Sequence, residues 1–140
     1  MLLQEFKSFS GATYAKVYYD EEANTIMDVW DGTFGSQDNF KKVISFIKEQ
    51  IVSRGITKWL ADLQFMKGSF DGSRDWMTQE VMPQLIQAGL LHEAIVLPLN
   101  VFSKLSARDA IVKIHNFELR QFSDINEAKS WLQDADVALV

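Results

Sequence analysis

The sequence has no cysteine in 140 residues. This excludes disulfides, thiol catalysis and cysteine-ligated zinc or iron–sulfur centres. Positive charge is in short supply: fourteen Lys and Arg stand against nineteen Asp and Glu, a net charge of -5. A general affinity for nucleic acid phosphates needs the opposite balance. Long apolar runs are missing as well. None approaches the ~20 residues that span a bilayer, so no integral membrane segment is expected. Met1-Leu2-Leu3 runs at once into Gln4, Glu5 and Lys7, which leaves no signal-peptide core, and a cytoplasmic location is the expectation.

What is present describes a globular chain. Hydrophobic residues make up 47% and charged residues 24%, and the length suits a single domain. Residues 1–12 have no clear period and read as an N-terminal arm. Thr13 to Tyr19 is β-branched and aromatic-rich, Asp20 to Asn24 is a polar turn, and Thr25 to Asp31 is a second strand, so the pair reads as an antiparallel hairpin. Ser36 then caps a helix whose Phe40, Val43, Ile44, Ile47 and Ile51 share one face, and Arg54-Gly55 ends it.

Thr57 to Leu63 reads as a buried central strand, with Gln64 to Gly72 as the loop that follows. Ser73 to Ala88 has helical spacing with Trp76, Met77, Val81, Leu85 and Ile86 inward, and Pro83 predicts a kink or a two-piece helix. Glu93 to Pro98 is a fourth strand. Ser106 to Asp109 opens a third helix with Ala110, Ile111 and Ile114 inward, and Phe117 to Phe122 is a fifth strand. Asp124-Ile125-Asn126-Glu127 has the spacing of a capping box for a last helix containing Ala128, Trp131 and Leu132. Residues 13–133 form the domain and 134–140 a tail. Strands alternating with helices after an opening hairpin predict one α/β domain: a mostly parallel sheet of about five strands with four helices around it.

That order resembles the STAS fold of anti-sigma-factor antagonists. Three stretches bring it nearer the SpoIIAA-like branch, whose members resemble the lipid-binding CRAL-TRIO proteins. They are Val29-Trp30-Asp31-Gly32 before the first helix, Trp59-Leu60-Ala61-Asp62-Leu63 before a loop and a Trp-bearing helix, and Glu127-Ala128-Lys129-Ser130-Trp131-Leu132 at the close. The likeness implies a non-enzymatic binding or regulatory domain without cofactor or metal. Its partner would be a hydrophobic small molecule or lipid, or another protein, with a homodimer among the assemblies. STAS antagonists carry a phosphorylatable Ser just after the central strand. Here the corresponding text is Gly68-Ser69-Phe70-Asp71-Gly72-Ser73-Arg74, so Ser73 and, less closely, Ser69 take that place, and Gly72 departs from the pattern.

The loop after the central strand is the candidate site. Ligands of open α/β sheets bind beyond the carboxyl ends of the strands, and this segment holds Phe65, Met66 and Phe70 among polar residues, with Asp71, Ser73 and Trp76 beside them. The apolar three either close over the core or form a lid or docking surface. Asp62 inside a strand is either paired with backbone donors or functional. Catalysis would need His92 or His115 within reach of Asp62 or Asp71. No nucleophile elbow and no glycine-rich phosphate loop accompanies either His. A small carboxylate/His-dependent enzyme and a structural oligomerisation domain are the two alternative readings.

Overall fold

A computed structural model describes residues 1–102, 111–114 and 116–138. Seven strands form one mixed sheet in the order β1-β2-β3-β4-β5-β7-β6. The strands are β1 (Leu2–Lys7), β2 (Thr13–Asp20), β3 (Thr25–Thr33), β4 (Lys58–Lys67), β5 (His92–Val96), β6 (Ile111–Ile114) and β7 (Phe117–Phe122). The central run β3-β4-β5-β7 is parallel, whereas β1-β2, β2-β3 and β6-β7 pair antiparallel. The α/β class and the opening hairpin β2-β3 agree with the sequence reading, but five mostly parallel strands become seven mixed ones.

Three elements differ from expectation for physical reasons. The N-terminal arm is the edge strand β1. Its pairing with β2 slips between Leu2 and Gln4 and again between Phe6 and Lys7. Leu3 and Phe6, three apart, both pack on the core, so the period-2 signature of a strand is erased. The expected third helix is, over Ile111–Ile114, the edge strand β6. Its Ile-Val-Lys-Ile run carries β-branched residues that favour a pleated surface. The helix start at Ser106 to Asp109, Ala110 and His115 lie outside the described residues. The supposed tail from 134 continues the last helix, α5 (Ile125–Ala138), because Ala135 extends the buried stripe of Ala128 and Leu132; residues 139–140 lie outside the described residues.

Helix α1 (Gln37–Arg54) connects β3 to β4 and buries the five residues its spacing assigns inward. The Ser36 hydroxyl accepts the Asn39 amide, and Gly55 closes the helix at φ 65°, its N–H donating to the Ile51 carbonyl. The next crossover comprises α2 (Arg74–Trp76), a π-helical stretch (Met77–Val81) and α3 (Met82–Ala88), which follow one another without a break. Pro83 lies in the first turn of α3. The helix thus accommodates its missing donor and bulky ring by widening to π just before it, and runs on continuously where a kink or a two-piece helix was expected. A short α4 (Leu99–Phe102) follows β5. Asp124 accepts the amides of Asn126 and Glu127 at the start of α5, as the capping spacing requires.

The two sheet faces are covered unequally. One face, with Val17, Ile26, Trp30, Trp59 and Ala61, meets α1 and α3 in the larger core. The other, with Leu60, Ala94 and Val96, meets Ala128 and Leu132 of α5 in a smaller one. Among the described residues no helix is long and apolar enough to cross a membrane. Replacing Gly55 by Ala should lower stability by about 1 kcal/mol, because a Cβ is strained in the left-handed conformation. Chemical denaturation checks this, and an unchanged midpoint would contradict the helix terminus described.

Candidate functional site

Three regions carry groups that could act, and the first is the segment singled out in the sequence. Strand β4 does not stop at Leu63. It runs to Lys67, re-pairing with the end of β3 as Asp31↔Phe65, Gly32↔Met66 and Thr33↔Lys67. Between Val29↔Asp62 and Asp31↔Phe65, two steps along β3 match three along β4, so β4 contains a bulge. Simple alternation would put Phe65 on the core face with Trp59, Ala61 and Leu63. The extra residue turns it to the opposite face instead, where it is 64% exposed, and turns Met66 toward the core, against which it packs. The expected loop thus shrinks to Gly68–Phe70.

Phe70 and Met66 belong to core closure, because both pack on the larger cluster and the Phe70 ring stacks on Phe40 at 5.1 Å and 3°. Trp76 is half-buried with the Lys41 ammonium 5.4 Å from its ring centroid. Asp71 pairs with Arg74 at 2.6 Å, an exposed contact of the turn. Ser73 is fully buried and its hydroxyl donates to Gln37 at 2.5 Å, while the Gln37 side-chain amide donates to the Ser69 carbonyl. Gln37 therefore ties the segment to the first turn of α1. Of the two serines, Ser69 is exposed and Ser73 is not; a phosphate on Ser73 requires this segment to open.

The second region is a buried acid cluster that the sequence reading did not single out. Asp28 is 1% exposed and its two carboxylate oxygens accept the indole N–H groups of Trp30 at 2.5 Å and Trp59 at 2.6 Å. Burial pushes its pKa up to about 6, against the pull of both indoles. Glu93 lies on the same face one strand beyond Trp59, its register partner. It is 3% exposed, and its Oε1 has no hydrogen-bond partner among the described residues. Burial, helped by the nearby Asp28 charge, raises its pKa to about 8. The usable signal in the sequence was the alternation itself. Asp28 lies between Ile26 and Trp30 at inward positions, and an acid there has to find donors or a proton.

The third region is on the less covered face. Helix α5 packs over β4, β5 and β7, so the antiparallel half of the sheet beside it lacks that cover. A cross-strand row, Tyr18↔Met27↔Leu60, runs from open sheet to beneath the helix. Along it lies a cleft of about 900 Å³. Tyr18 and Met27, both partly exposed, supply apolar surface backed by the buried Leu60 and Leu132; the buried Lys58 and the exposed Lys129 line it, and the acidic turn Asp20-Glu21-Glu22 closes one end.

The carboxylate–histidine arrangement is not assembled around His92. His92 registers with Lys58 and Asp62 with Val96; four residues along parallel strands separate them by about 13 Å. Asp62 Oδ1 instead accepts the Gln64 amide at 3.1 Å, the backbone-paired role. Burial raises its pKa, while that bond and Lys129 lower it. His92 stands edge-on to the Trp131 ring at 5.5 Å. Among the described residues no group of three or more His, Cys, Asp or Glu side chains converges to hold a metal ion. No family model, no curated protein and no solved structure matches the chain.

Between pH 4.5 and about 8 folded Glu93 keeps a proton that the unfolded chain has lost. Its contribution to stability is therefore full below the unfolded value and falls as pH rises toward about 8. Asp28 acts in the same sense between 3.8 and about 6. Denaturant midpoints should decline over the upper window, and Glu93→Gln should flatten the decline above pH 6; a variant that keeps the full slope would refute the assignment. Asp28→Asn, which leaves one buried indole facing an amide N–H, should cost about 1–3 kcal/mol. Ser73→Asp places an uncompensated charge in a buried site and should cost roughly 3–5 kcal/mol. A thermal melt that is unchanged for Ser73→Asp would show that the segment opens freely.

Proposed function

We propose that this chain is a non-enzymatic binding domain of the SpoIIAA-like, STAS type, and that it holds a hydrophobic small molecule or lipid. The cleft beside α5 is the observation that carries this reading. Ligand sites are concave and combine apolar surface with a few polar groups that fix orientation; the Tyr18-Met27-Leu60 row supplies the apolar part and Lys129 a cation for an anionic head group, with the acidic turn Asp20-Glu21-Glu22 at one end. The strand–helix order after the hairpin supports the family assignment, since β2-β3-α1-β4, the composite helix and β5 follow in the sequence expected of it. The extra edge strands β1 and β6 are additions to that pattern.

The ligand lies on the open sheet face and not in the segment after β4. Met66 and Phe70 of that segment are committed to the core, which leaves them little to offer an apolar guest. The chemistry at hand suits retention more than turnover. The most buried acids, Asp28 and Glu93, sit under helices, and His92 lies away from Asp62.

Native mass spectrometry of the purified protein beside its denatured mass tests the proposal. The expected outcome is a noncovalent adduct, carried through purification or taken up from added oleate, that disappears on denaturation. Met27→Arg, which puts a charged chain across the cleft floor, should abolish it while the fold persists. A clean native mass with no uptake of oleate would overturn the reading.

A further inference from the structure

The bulge in β4 leaves Phe65 with no role in the core and no role in the cleft. We infer that Phe65 is the knob of a self-association surface, and that it seats in a hollow on the same sheet face of a second copy of this chain. The hollow, of about 330 Å³, lies over β1–β3 and is lined by Val29, Tyr18, Thr13, Glu5, Lys16 and Asp31, with Tyr14 and Ala15 completing it. It begins one strand away from the knob, because Asp31 is the register partner of Phe65.

Two observations select a second copy over an unrelated partner, and a third marks Phe65 as its anchor. Knob and hollow share one face of one sheet, which is the condition for an isologous contact in which residue i meets j and j meets i about a two-fold axis. The charges match in the same exchange. The hollow carries two carboxylates, Glu5 and Asp31, and one ammonium, Lys16. Lys67 stands two residues beyond Phe65 on the knob's side of β4 and meets that acidic surplus when the knob is seated. The bulge itself is the third. It interrupts the β3-β4 ladder and leaves a large apolar ring 64% exposed, and bulges of this kind re-aim a side chain toward a surface that uses it. An aromatic anchor filling a hollow, ringed by charged pairs, is also how small interfaces concentrate their binding energy.

The absence of cysteine makes the contact directly testable. Sedimentation should show the wild-type chain associating reversibly to a dimer as concentration rises, and Phe65→Glu should weaken the dimer by at least about tenfold. At concentrations where the wild-type chain is monomeric, the variant's unfolding transition should stay in place, since the ring is exposed and no dimer then adds to stability. On mild oxidation, a mixture of Phe65→Cys and Val29→Cys chains should give a disulfide-linked mixed dimer faster than either chain alone gives a homodimer. A monomer at every concentration, a dimer indifferent to Phe65→Glu, or a dimer without the mixed crosslink would each overturn the inference. Oleate uptake by Phe65→Glu is expected unchanged, because Phe65 does not line the cleft even though Tyr18 borders both surfaces.

Discussion

A single buried carboxylate organises the middle of this domain. Asp28 holds the indole N–H of Trp30, two residues along its own strand, and that of Trp59 on the neighbouring strand. Neither indole can be buried without an acceptor, and the carboxylate cannot be buried without donors. The three satisfy one another. The bonds lock β3 to β4 in register where the sheet changes from antiparallel to parallel, and they hold the two largest rings of the core as a floor for α1. Trp30 stacks on Phe40 at 5.3 Å, and Phe40 on Phe70 at 5.1 Å, so order passes from the carboxylate through α1 to the segment after β4.

The two faces of the sheet are covered differently. The face bearing Asp28 is covered by α1 and the composite helix. The opposite face has α5 over its parallel half, while its antiparallel half, which needs no second cover, lacks that helix. A binding surface can arise at that step, and there the apolar row continues outward past the helix. The bulge adds Phe65 to the same face, so the cleft and the proposed self-association surface lie side by side on it.

Much of this was legible in the residues. The helix from Ser36 to Gly55 was legible because its caps, its length and its stripe of Phe40, Val43, Ile44, Ile47 and Ile51 agree. The hairpin β2-β3 and the start of α5 were legible for like reasons. The misreadings share a cause: irregular pairing hides strands. The slips in β1 gave Leu3 and Phe6 a spacing of three, and the bulge in β4 broke its alternation at Leu63, so a strand ending at Lys67 looked like a strand followed by an apolar loop. Ile111–Ile114 is too short for period to decide between strand and helix. Phe65, Met66 and Phe70 stand out in the sequence as apolar residues in a polar stretch, but only the pairing partners show which face Phe65 and Met66 take. The cleft could not be read at all, since Tyr18, Met27, Leu60 and Leu132 come from four elements and meet only through register. Asp28 and Glu93 could have been found, as acids at inward positions of apolar strands.

The measurement that tests the central claim most directly is a residue-resolved map of binding: amide chemical shifts of the isotope-labelled protein during titration with oleate. The account predicts perturbations concentrated at Tyr18, Met27, Leu60 and along the Lys129 to Gln133 turn of α5, with Gly68 to Trp76 unmoved. Perturbations centred on Gly68 to Trp76, with the open sheet face silent, would contradict it and return the site to the loop after the central strand.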